Sequence, residues 1–396
     1  MNDAEKLFLT QSENKRIVVF GAGQNGKDFI DKYNSLRTIE YVVDNNAELW
    51  GCAVCGTTIK NPKELKKDFD DNKDIFTVIA IGRYYSVCLQ LNLHMKIKAQ
   101  IAYIDGEFID VSEIITDRLS PMNFHNTTLR IETTNRCNLK CSFCAREQLS
   151  RDQGDIDDDL FKKIINEAAS LGFRKLDLRN FGEPLLDKKL EKRIFIAKKC
   201  GFTNIFIYTN GSLLTPERYK SLSDAGLNCV IISLSPKREF ELTRKRVSYE
   251  RIFNNIIQIA KARKRRITEE LYAASIEVHI VAPASTDDEC RRTEFDLKNI
   301  GIKKIVKVHI HNWSDFTEAC SCEKHTPCHR LFDSVTVLRD GKIALCCIDY
   351  DGKYILGDLA EENLADAINS DKYRAMRKAQ LTGKLPSICK TCSNFR

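Results

Sequence analysis

Three cysteines stand close together in the chain, Cys137, Cys141 and Cys144, with the spacing C-x3-C-x2-C. A loop can wrap three thiolates this close around one metal centre. Thiolates are soft ligands that suit iron–sulfur clusters or zinc. A closed zinc site needs a fourth ligand, and the nearest histidine, His125, lies upstream beyond a predicted strand. Iron–sulfur clusters usually take four thiolates, so three would leave one iron open to another ligand.

A glycine-rich turn near the N-terminus joins a predicted strand at residues 16–20 to a predicted helix at residues 27–36. The turn reads G-x-G-x-x-G, with its glycines at Gly21, Gly23 and Gly26. Such a turn directs backbone amides at a phosphate at the N-terminus of a helix. The next predicted strand, at residues 39–43, ends in Asp44, which could contact a ribose hydroxyl. The pattern predicts a Rossmann-like domain over residues 1–116.

From residue 129 the sequence alternates predicted strands with predicted helices. The six strands are expected at residues 129–133, 175–179, 204–208, 229–234, 275–281 and 305–311. This alternation predicts a parallel sheet closed part-way, a partial (β/α)6 TIM-type barrel over residues 127–315. The cysteine loop follows the first of these strands, and in parallel barrels the chemistry gathers at the C-terminal ends of the strands.

More cysteines lie near the C-terminus. They are Cys320, Cys322, Cys328, Cys346, Cys347, Cys389 and Cys392. A predicted hairpin, with strands at residues 334–338 and 342–345, is followed by a predicted helix at residues 364–380. We expect residues 316–396 to form a small α+β domain around a second iron–sulfur cluster, with a structural zinc site as the alternative. The predicted fold class is therefore α/β with this third, smaller domain.

Composition limits the classes of protein to which the chain could belong. Its 396 residues are enough for two or three domains, and a hydrophobic share of 43% supports a packed core. The N-terminal segment does not resemble a signal peptide, and no apolar run approaches the ~20 residues of a membrane span. We therefore expect a cytoplasmic protein with no membrane partner, in which 16 cysteines favour metal binding over disulfides. The net charge of +7, from 62 basic and 55 acidic residues, suits an anionic ligand without indicating nucleic acid.

The cysteine spacing, with the aromatic Phe143 before the third cysteine, resembles the signature of radical S-adenosylmethionine (SAM) enzymes. The resemblance implies that the three cysteines hold a 4Fe–4S cluster whose fourth iron chelates the amino and carboxylate groups of SAM. In that family the cluster donates an electron, SAM splits, and a 5′-deoxyadenosyl radical abstracts hydrogen from the substrate. The reducing partner would be flavodoxin or ferredoxin.

Further motifs after the next strands are similar to SAM-binding segments of the same family. Residues 180–184, NFGEP, resemble the G-G-E-P element, although Phe181 stands where the first glycine is usual. The resemblance implies that Gly182 and Glu183 bind the amino group of SAM. The segment Thr-Asn-Gly that contains Asn210 is similar to one near the SAM ribose.

Two side chains are implied in binding the SAM carboxylate. Ser233 stands where relatives often read S-L-D, and here Ser235 replaces the acidic residue. Arg246 lies where relatives often carry a carboxylate-binding arginine, with Arg244 and Lys245 as alternatives.

The C-terminal cysteines resemble the SPASM extension of radical SAM enzymes, in its shortened, one-cluster twitch form. The resemblance implies the ligands Cys328, Cys346, Cys389 and Cys392. Cys347 could replace Cys346, and Cys320 or Cys322 could replace Cys328. The auxiliary cluster would be a 4Fe–4S or a 2Fe–2S cluster.

The sequence is consistent with three functions. The first is hydrogen abstraction from a carbohydrate, sugar nucleotide or related alcohol, leading to dehydrogenation or epimerisation in surface-glycan or natural-product biosynthesis. It is favoured because the N-terminal domain resembles Rossmann-like modules of nucleotide-sugar enzymes. Such modules either bind a nucleotide or serve only in docking and assembly. The second is a maturase acting on a ribosomally made peptide, and the third is a non-catalytic iron–sulfur electron carrier or redox sensor.

Overall fold

In the computed structural model the chain forms two compact units. The structure describes residues 2–82, 84–111, 124, 127–282, 285–308, 328, 330–382 and 384–392. The first unit comprises the described residues before residue 120, with residue 328 and those within 378–384. The second unit comprises the other described residues. No helix in this described part is both long and apolar enough to cross a bilayer.

The first unit is built on a seven-stranded sheet. Its strands are β1 (Arg16–Phe20), β2 (Ile39–Val43), β3 (Ala53–Val54), β4 (Thr57–Lys60), β5 (Ile75–Ile79), β6 (Ile101–Ile104) and β7 (Glu107–Asp110). The order is β3-β4-β2-β1-β5-β6-β7, parallel except where β3 and β7 pair at the edges. Its helices are α1 (Asp3–Gln11), α2 (Gln24–Tyr33), α3 (Pro62–Asp70) and α4 (Tyr84–Leu89). The order reverses beside β1, as in a Rossmann-type sheet.

The apolar run of β1 explains why this strand lies at the centre of the sheet. Val18 and Phe20 belong to one buried cluster, whereas Ile17 and Val19 belong to another. Successive side chains of a strand point to opposite faces, so both faces of β1 are covered. A strand buried on both faces must be apolar throughout, which this run satisfies.

The second unit is built on a nine-stranded sheet. Its elements include β8 (Thr128–Ile131), β9 (Lys140–Cys141), β10 (Lys175–Asp177), β11 (Asn204–Thr209), β12 (Cys229–Leu234), β13 (Arg244–Lys245), β14 (Ser275–Val281), β15 (Lys304–Val308), β16 (Ser334–Val337), β17 (Lys342–Ala344) and β18 (Ile355–Asp358). The sheet order is β15-β14-β12-β11-β10-β8-β16-β17-β18, and β9 pairs with β13 separately. The parallel strands β8, β10, β11, β12, β14 and β15 confirm the partial barrel. The last of them ends at Val308, and residues 309–311 lie outside the described residues.

The helices of the second unit alternate with its strands. They are α5 (Asp158–Ser170), α6 (Leu190–Lys199), α7 (Pro216–Asp224), α8 (Lys237–Thr243), α9 (Tyr249–Thr268), α10 (Asp287–Asn299), α11 (Arg330–Asp333), α12 (Leu364–Asn369), α13 (Asp371–Thr382) and α14 (Ser387–Lys390). Several begin at a polar side chain that accepts a backbone N–H of the first turn, as Asp157 does for α5 and Ser248 for α9. Thr286 and Glu289 form a full capping box at α10. These caps fix where the helices start after each strand.

The C-terminal hairpin is continuous with the barrel sheet. Strand β16 pairs in parallel with β8, on the side opposite β10, and β17 and β18 continue antiparallel from it. The single helix expected at residues 364–380 is instead two helices, α12 and α13. Ser370 separates them, and its side chain accepts the N–H of Tyr373. That hydrogen bond is a helix cap, so a new helix starts there.

Candidate functional site

The three clustered cysteines lie in a loop after β8 that neighbouring backbone holds in place. Strand β9 pairs with β13, and the Ser142 N–H donates to the Thr243 carbonyl at 2.9 Å. Burial raises the pKa of the Cys137 thiol to about 11 and that of Cys144 to about 12. Burial also raises the pKa of Cys141, against the opposing charge of Arg244. These thiols become thiolates only when a cation such as iron compensates the buried charge.

The loop is not a preformed site for a single metal ion. Among the described residues no three His, Cys, Asp or Glu side chains converge on one position that could hold a metal ion. A preformed zinc site would need such convergence. In a cluster each thiolate binds a different iron atom, so the three sulfurs need not meet at one point.

Glu183 is a fully buried carboxylate at the C-terminal end of the barrel sheet. It accepts hydrogen bonds from the Asn210 N–H at 2.8 Å, the Thr209 hydroxyl at 2.7 Å and the Leu185 N–H at 3.1 Å. Burial raises its pKa to about 7, although these three hydrogen bonds act to lower it. Within the described part of the chain it forms no salt bridge with a basic side chain, so it is poised for a cation from outside the protein.

Gly182 lets the Glu183 segment approach the strand that leads to the cysteine loop. A Cβ atom on Gly182 would lie 2.0 Å from the Thr134 carbonyl oxygen. The neighbouring Glu183 N–H donates to the Arg136 carbonyl at 2.8 Å. A side chain at position 182 would therefore push the carboxylate away from the loop.

Asn210 connects the Glu183 segment to the cysteine loop. Its side-chain amide donates to Asn138 Oδ1 at 3.1 Å and lies 3.9 Å from the sulfur of Cys137. Asn138 in turn donates to the Ser212 hydroxyl at 2.8 Å. The sequence motifs containing Cys137, Glu183 and Asn210 thus meet at one place.

The structure places Arg244, not Arg246, beside Ser233. The Arg244 guanidinium donates to the Ser233 hydroxyl at 2.8 Å and to the Ser235 hydroxyl at 3.3 Å. It also lies over the ring of Phe143, at 5.6 Å. Arg246 is exposed, and its φ of 76° turns the chain away from β13. The pairing of β9 with β13 places Arg244 at the cysteine loop, and the role of Arg246 in binding the SAM carboxylate stays a prediction.

Arg244 and Glu183 together provide the two charges that recognise an amino acid. Arg244 is buried, and its Nε has no hydrogen-bond partner among the described residues. A buried donor without a partner is costly unless a ligand satisfies it. A buried guanidinium suits a carboxylate, and a buried carboxylate suits an ammonium, so the site fits the amino and carboxylate groups that SAM carries.

Glu132, at the end of β8, is a site residue that the sequence motifs did not indicate. Its buried carboxylate forms a two-pronged ion pair with Arg151, at 2.7 and 2.9 Å. It also accepts the N–H groups of Phe181 and Arg339, at 3.4 and 3.2 Å. Arg151 donates to the Tyr350 carbonyl as well. One carboxylate therefore joins the Glu183 segment, the segment after the cysteine loop and the C-terminal hairpin.

The C-terminal cysteines are divided between the two units. Cys328 groups with the first unit. Cys346, Cys389 and Cys392 belong to the second unit, where Cys389 and Cys392 are buried. Cys320 and Cys322, the alternative ligands, lie outside the described residues. The proposed ligand set of Cys328, Cys346, Cys389 and Cys392 stays a prediction.

Cys346 and Cys347 differ in their hydrogen-bond partners. The Ile348 N–H lies 3.4 Å from the sulfur of Cys346, whereas the guanidinium of Arg330 donates to the sulfur of Cys347 at 2.8 Å. Burial acts to raise the pKa of Cys347, but Arg130, Arg330 and Arg179 outweigh it and the pKa is lowered. The sulfur of Cys347 is therefore in a setting that stabilises a thiolate.

The N-terminal glycine turn has the backbone geometry expected of it. A Cβ atom on Gly21 would lie 2.6 Å from the Ala80 carbonyl, and one on Gly26 would lie 2.0 Å from the Gly21 carbonyl, while Gly23 faces open space. The carboxylate of Asp44 accepts the Ala22 N–H at 2.9 Å. Asp44 therefore stabilises the turn itself, and its expected contact with a ribose stays a prediction.

Two protein-family models match the chain. The Radical SAM superfamily model matches residues 131–293. The SPASM model, described as an iron–sulfur cluster-binding domain, matches residues 328–393. The first range contains Glu183, Asn210, Ser233 and Arg244, together with the cysteine loop.

Curated relatives share parts of this sequence. The chain is 24% identical over 273 residues to the S-adenosyl-L-methionine-dependent 2-deoxy-scyllo-inosamine dehydrogenase of Niallia circulans, covering 67% of this chain and 92% of that protein. It is 38% identical over 109 residues to the tungsten-containing aldehyde ferredoxin oxidoreductase cofactor-modifying protein of Pyrococcus furiosus, covering 27% of this chain. The chain spans only 30% of the length of that second relative.

A solved structure shares the fold. The crystal structure of Streptococcus suis SuiB bound to precursor peptide SuiA aligns with a TM-score of 0.52 at 13% identity, covering 63% of this chain and 67% of that one. Identity this low shows a common fold alone. The two family models match in order along the sequence, so the chain contains a radical SAM domain over residues 131–293 and a SPASM iron–sulfur cluster-binding domain over residues 328–393.

Proposed function

We propose that the chain is an oxidoreductase that abstracts hydrogen from a carbohydrate, a sugar nucleotide or a related alcohol. The radical SAM domain implies a 4Fe–4S cluster and SAM, and the SPASM domain implies an auxiliary cluster. When bound, the first cluster and SAM supply a 5′-deoxyadenosyl radical that removes a hydrogen atom from a substrate carbon. Cys137, Cys141 and Cys144 would hold that cluster, and the Phe143 ring in the same loop lies against the guanidinium of Arg244.

The observation that carries this proposal is the buried pair of opposite charges beside the cysteine loop. Glu183 would accept a hydrogen bond from the amino group of SAM, and Arg244 with Ser233 would bind its carboxylate. Both groups are held by hydrogen bonds to strand ends, so they are oriented before the ligand arrives. Preorganised charges of this kind fix a reactive ligand without further movement of the protein. An electron carrier that binds no SAM would have no use for them.

The substrate class is supported by the relative that aligns over most of its length. That relative is named a 2-deoxy-scyllo-inosamine dehydrogenase, so oxidation of an alcohol carbon is the outcome we favour over epimerisation. The auxiliary cluster, for which Cys346, Cys389 and Cys392 would be ligands in the second unit, would supply an acceptor for the electron that the substrate radical loses. A flavodoxin or ferredoxin would supply the electron that starts each cycle. The N-terminal turn with Gly21, Gly23 and Gly26 would bind a nucleotide or sugar nucleotide.

This proposal is tested by the release of 5′-deoxyadenosine. Reconstituted protein with dithionite and SAM should release it together with methionine. Candidate alcohols deuterated at each carbon, including 2-deoxy-scyllo-inosamine and common sugar nucleotides, should then be tested for deuterium transfer into 5′-deoxyadenosine by mass spectrometry. Transfer identifies the carbon attacked. Iron-loaded protein that releases no 5′-deoxyadenosine would contradict the proposal.

The raised pKa of Glu183 predicts how SAM affinity depends on pH. Below its pKa of about 7 the side chain is mostly protonated and accepts a hydrogen bond from the amino group of SAM poorly, whereas above it the charged carboxylate is a strong acceptor. Affinity for SAM should therefore rise by roughly tenfold between about pH 5.5 and pH 7. Calorimetric titration of the reconstituted protein across this range measures the change. Glu183→Gln should bind SAM weakly, with an affinity that does not change with pH. If the affinity of this variant still rose with pH as it does in the wild type, the pH dependence would belong to another group.

Arg244 and Arg246 give a matched pair of variants. Arg244→Gln should weaken SAM binding by roughly tenfold or more, because it removes a charge-assisted hydrogen bond in a buried site. Arg246→Gln should leave SAM binding unchanged, since Arg246 is exposed. Both affinities are to be measured on protein of equal iron content. A larger loss in Arg246→Gln would restore the assignment made from the sequence alone.

A further inference from the structure

The paired strands β9 and β13 form a two-stranded ribbon at the cysteine loop. Arg244 stands opposite Cys141 in this ribbon, and Lys245 stands opposite Lys140. Residues directly opposite each other in an antiparallel pair point to the same face, whereas successive residues of a strand point to opposite faces. Arg244 is buried, whereas both lysines are exposed. One face of the ribbon therefore carries a cysteine of the loop, and the other presents two lysines to solvent.

The two lysines belong to a larger cluster of positive charge. Lys140 and Arg146 both pair with Glu147, at 2.5 and 2.7 Å. The exposed Arg246 directly follows Lys245 in the chain. The hydrogen bond from Lys140 lowers the pKa of the Glu147 carboxyl below its usual value, and the charge of Arg246 lowers it further. Three cations thus surround one carboxylate, and Lys245 adds a fourth positive charge beside them.

The stability of the ribbon does not explain this arrangement of charge. Like charges directly opposite each other on a sheet are destabilising, and Lys140 and Lys245 are such a pair. Arg246 has a φ of 76°, in the left-handed region that is unfavourable for residues other than glycine. A ribbon of only two residue pairs that retains both features meets a requirement other than folding.

An exposed apolar side chain adjoins this charge. Leu242, on α8, is 68% exposed. The carbonyl of the next residue, Thr243, accepts the Ser142 N–H at 2.9 Å, which places Leu242 beside the cysteine loop. Glu241 precedes it and is also exposed, so with Glu147 two acidic side chains stand against four basic ones and the charge stays positive. The exposed residues that we call the ribbon surface are Lys140, Leu242, Lys245 and Arg246.

The opposite side of the cysteine loop is assigned to SAM. There lie Glu183, Arg244 and Ser233, the groups proposed to bind its amino and carboxylate ends. A protein that delivers an electron cannot approach from that side while SAM occupies it. The redox centre of such a protein must nonetheless come close to the cluster, because electron transfer is short-ranged. The outer face of the ribbon meets this requirement, since Lys140 directly precedes Cys141 in β9.

We propose that the ribbon surface docks an acidic flavoprotein of the flavodoxin type, which reduces the cluster held by the cysteine loop. This inference rests on the proposed function and assigns the surface through which its electron donor acts. Acidic side chains of the donor pair with the cations, and the apolar edge of its flavin ring packs on Leu242, which favours a flavin over an iron–sulfur donor. One electron passes from the anionic flavin hydroquinone, which becomes the neutral semiquinone, to the cluster, and no proton moves.

Docking is tested by calorimetric titration of a recombinant bacterial flavodoxin, with its flavin oxidised, into the reconstituted and unreduced protein. The wild type should bind it, and the affinity should fall when the ionic strength rises from about 0.05 M to about 0.3 M, because salt screens the charges across the interface. Lys245→Glu should weaken binding by roughly tenfold or more. The same change sets a negative charge opposite Lys140, so the variant should fold at least as well as the wild type.

A second variant and a matched control separate this surface from general electrostatic attraction. Leu242→Ser should weaken binding by roughly fivefold without changing its dependence on salt, because it removes an apolar contact. Arg265→Glu alters the net charge as much as Lys245→Glu does, on a side chain of α9 that is 81% exposed, and should bind as the wild type does. Equal weakening by Lys245→Glu and Arg265→Glu would overturn the inference. So would a wild type that binds no flavodoxin, including one that binds an acidic ferredoxin instead.

The binding measurement requires no cleavage of SAM. If flavodoxin bound as expected but dithionite and SAM gave no 5′-deoxyadenosine, the proposed function would be refuted and the docking surface would stand. If dithionite drove the release but Lys245→Glu and Leu242→Ser bound flavodoxin as the wild type does, the docking inference alone would fail.

Discussion

Replacing Cys141 by alanine should abolish the release of 5′-deoxyadenosine. With only Cys137 and Cys144 left in the loop, the 4Fe–4S cluster loses one of three protein ligands and should not assemble. Roughly four iron atoms per chain should be lost, since one whole cluster is missing. Iron content and 5′-deoxyadenosine are measured after anaerobic reconstitution. Activity should fall to the level of protein without added iron.

Cys200→Ala is the matched control for this loss. Cys200 lies just after α6, where its sulfur contacts Asn166 at 3.2 Å, and it is remote in sequence from the three cysteines of the loop. Its replacement should leave iron content and SAM cleavage at the wild-type level. Full iron content and turnover in Cys141→Ala would show that the loop does not hold the cluster.

Replacing Glu132 by glutamine should cause the largest loss of stability among single changes near the site. Glu132 is buried and pairs with Arg151 through two hydrogen bonds. Removing one partner of a buried ion pair leaves the other charge uncompensated, which costs about 3–5 kcal/mol. The free energy of unfolding is measured by urea denaturation. The release of 5′-deoxyadenosine should also fall, because Glu132 holds the Phe181 N–H beside Glu183.

A double-mutant cycle separates the interaction energy of the Glu132–Arg151 pair from the contribution of each side chain alone. Arg151→Met should be destabilising too, but the double change should cost much less than the sum of the two. Asp159→Asn, which removes a salt bridge on the surface of α5, should leave stability unchanged because exposed pairs contribute little. Additive losses for Glu132 and Arg151 would mean that the two side chains act independently.

The parts that the sequence predicted are those fixed by local patterns. The cysteine spacing, the G-x-G-x-x-G turn and the alternation of strands and helices each depend on neighbouring residues, and the described fold contains all of them. Asn210 could be placed at the sheet edge because it closely follows a predicted strand, and Ser233 because it lies at the end of one. Parallel strands bring such positions to one edge of a sheet.

The parts that it missed depend on contacts between distant segments. Arg244 is preferred over Arg246 only because β13 pairs with β9, a contact that spans a hundred residues. The hairpin at β16 joins β8 across a gap twice as long, and no local pattern encodes that pairing. Glu132 is one acidic residue after an apolar run, and its importance comes from partners as distant as Arg339. The break between α12 and α13 at Ser370 is different. Serine is a common helix cap, so this break could have been predicted from the sequence.

The most direct test is electron paramagnetic resonance of the anaerobically reconstituted, dithionite-reduced protein with and without SAM. If three sulfurs leave one iron open, the spectrum should show a reduced 4Fe–4S cluster whose g values shift when SAM is added. The shift should disappear in Arg244→Gln at the same SAM concentration. Zinc in place of iron, or a cluster spectrum that SAM does not change, would contradict the account.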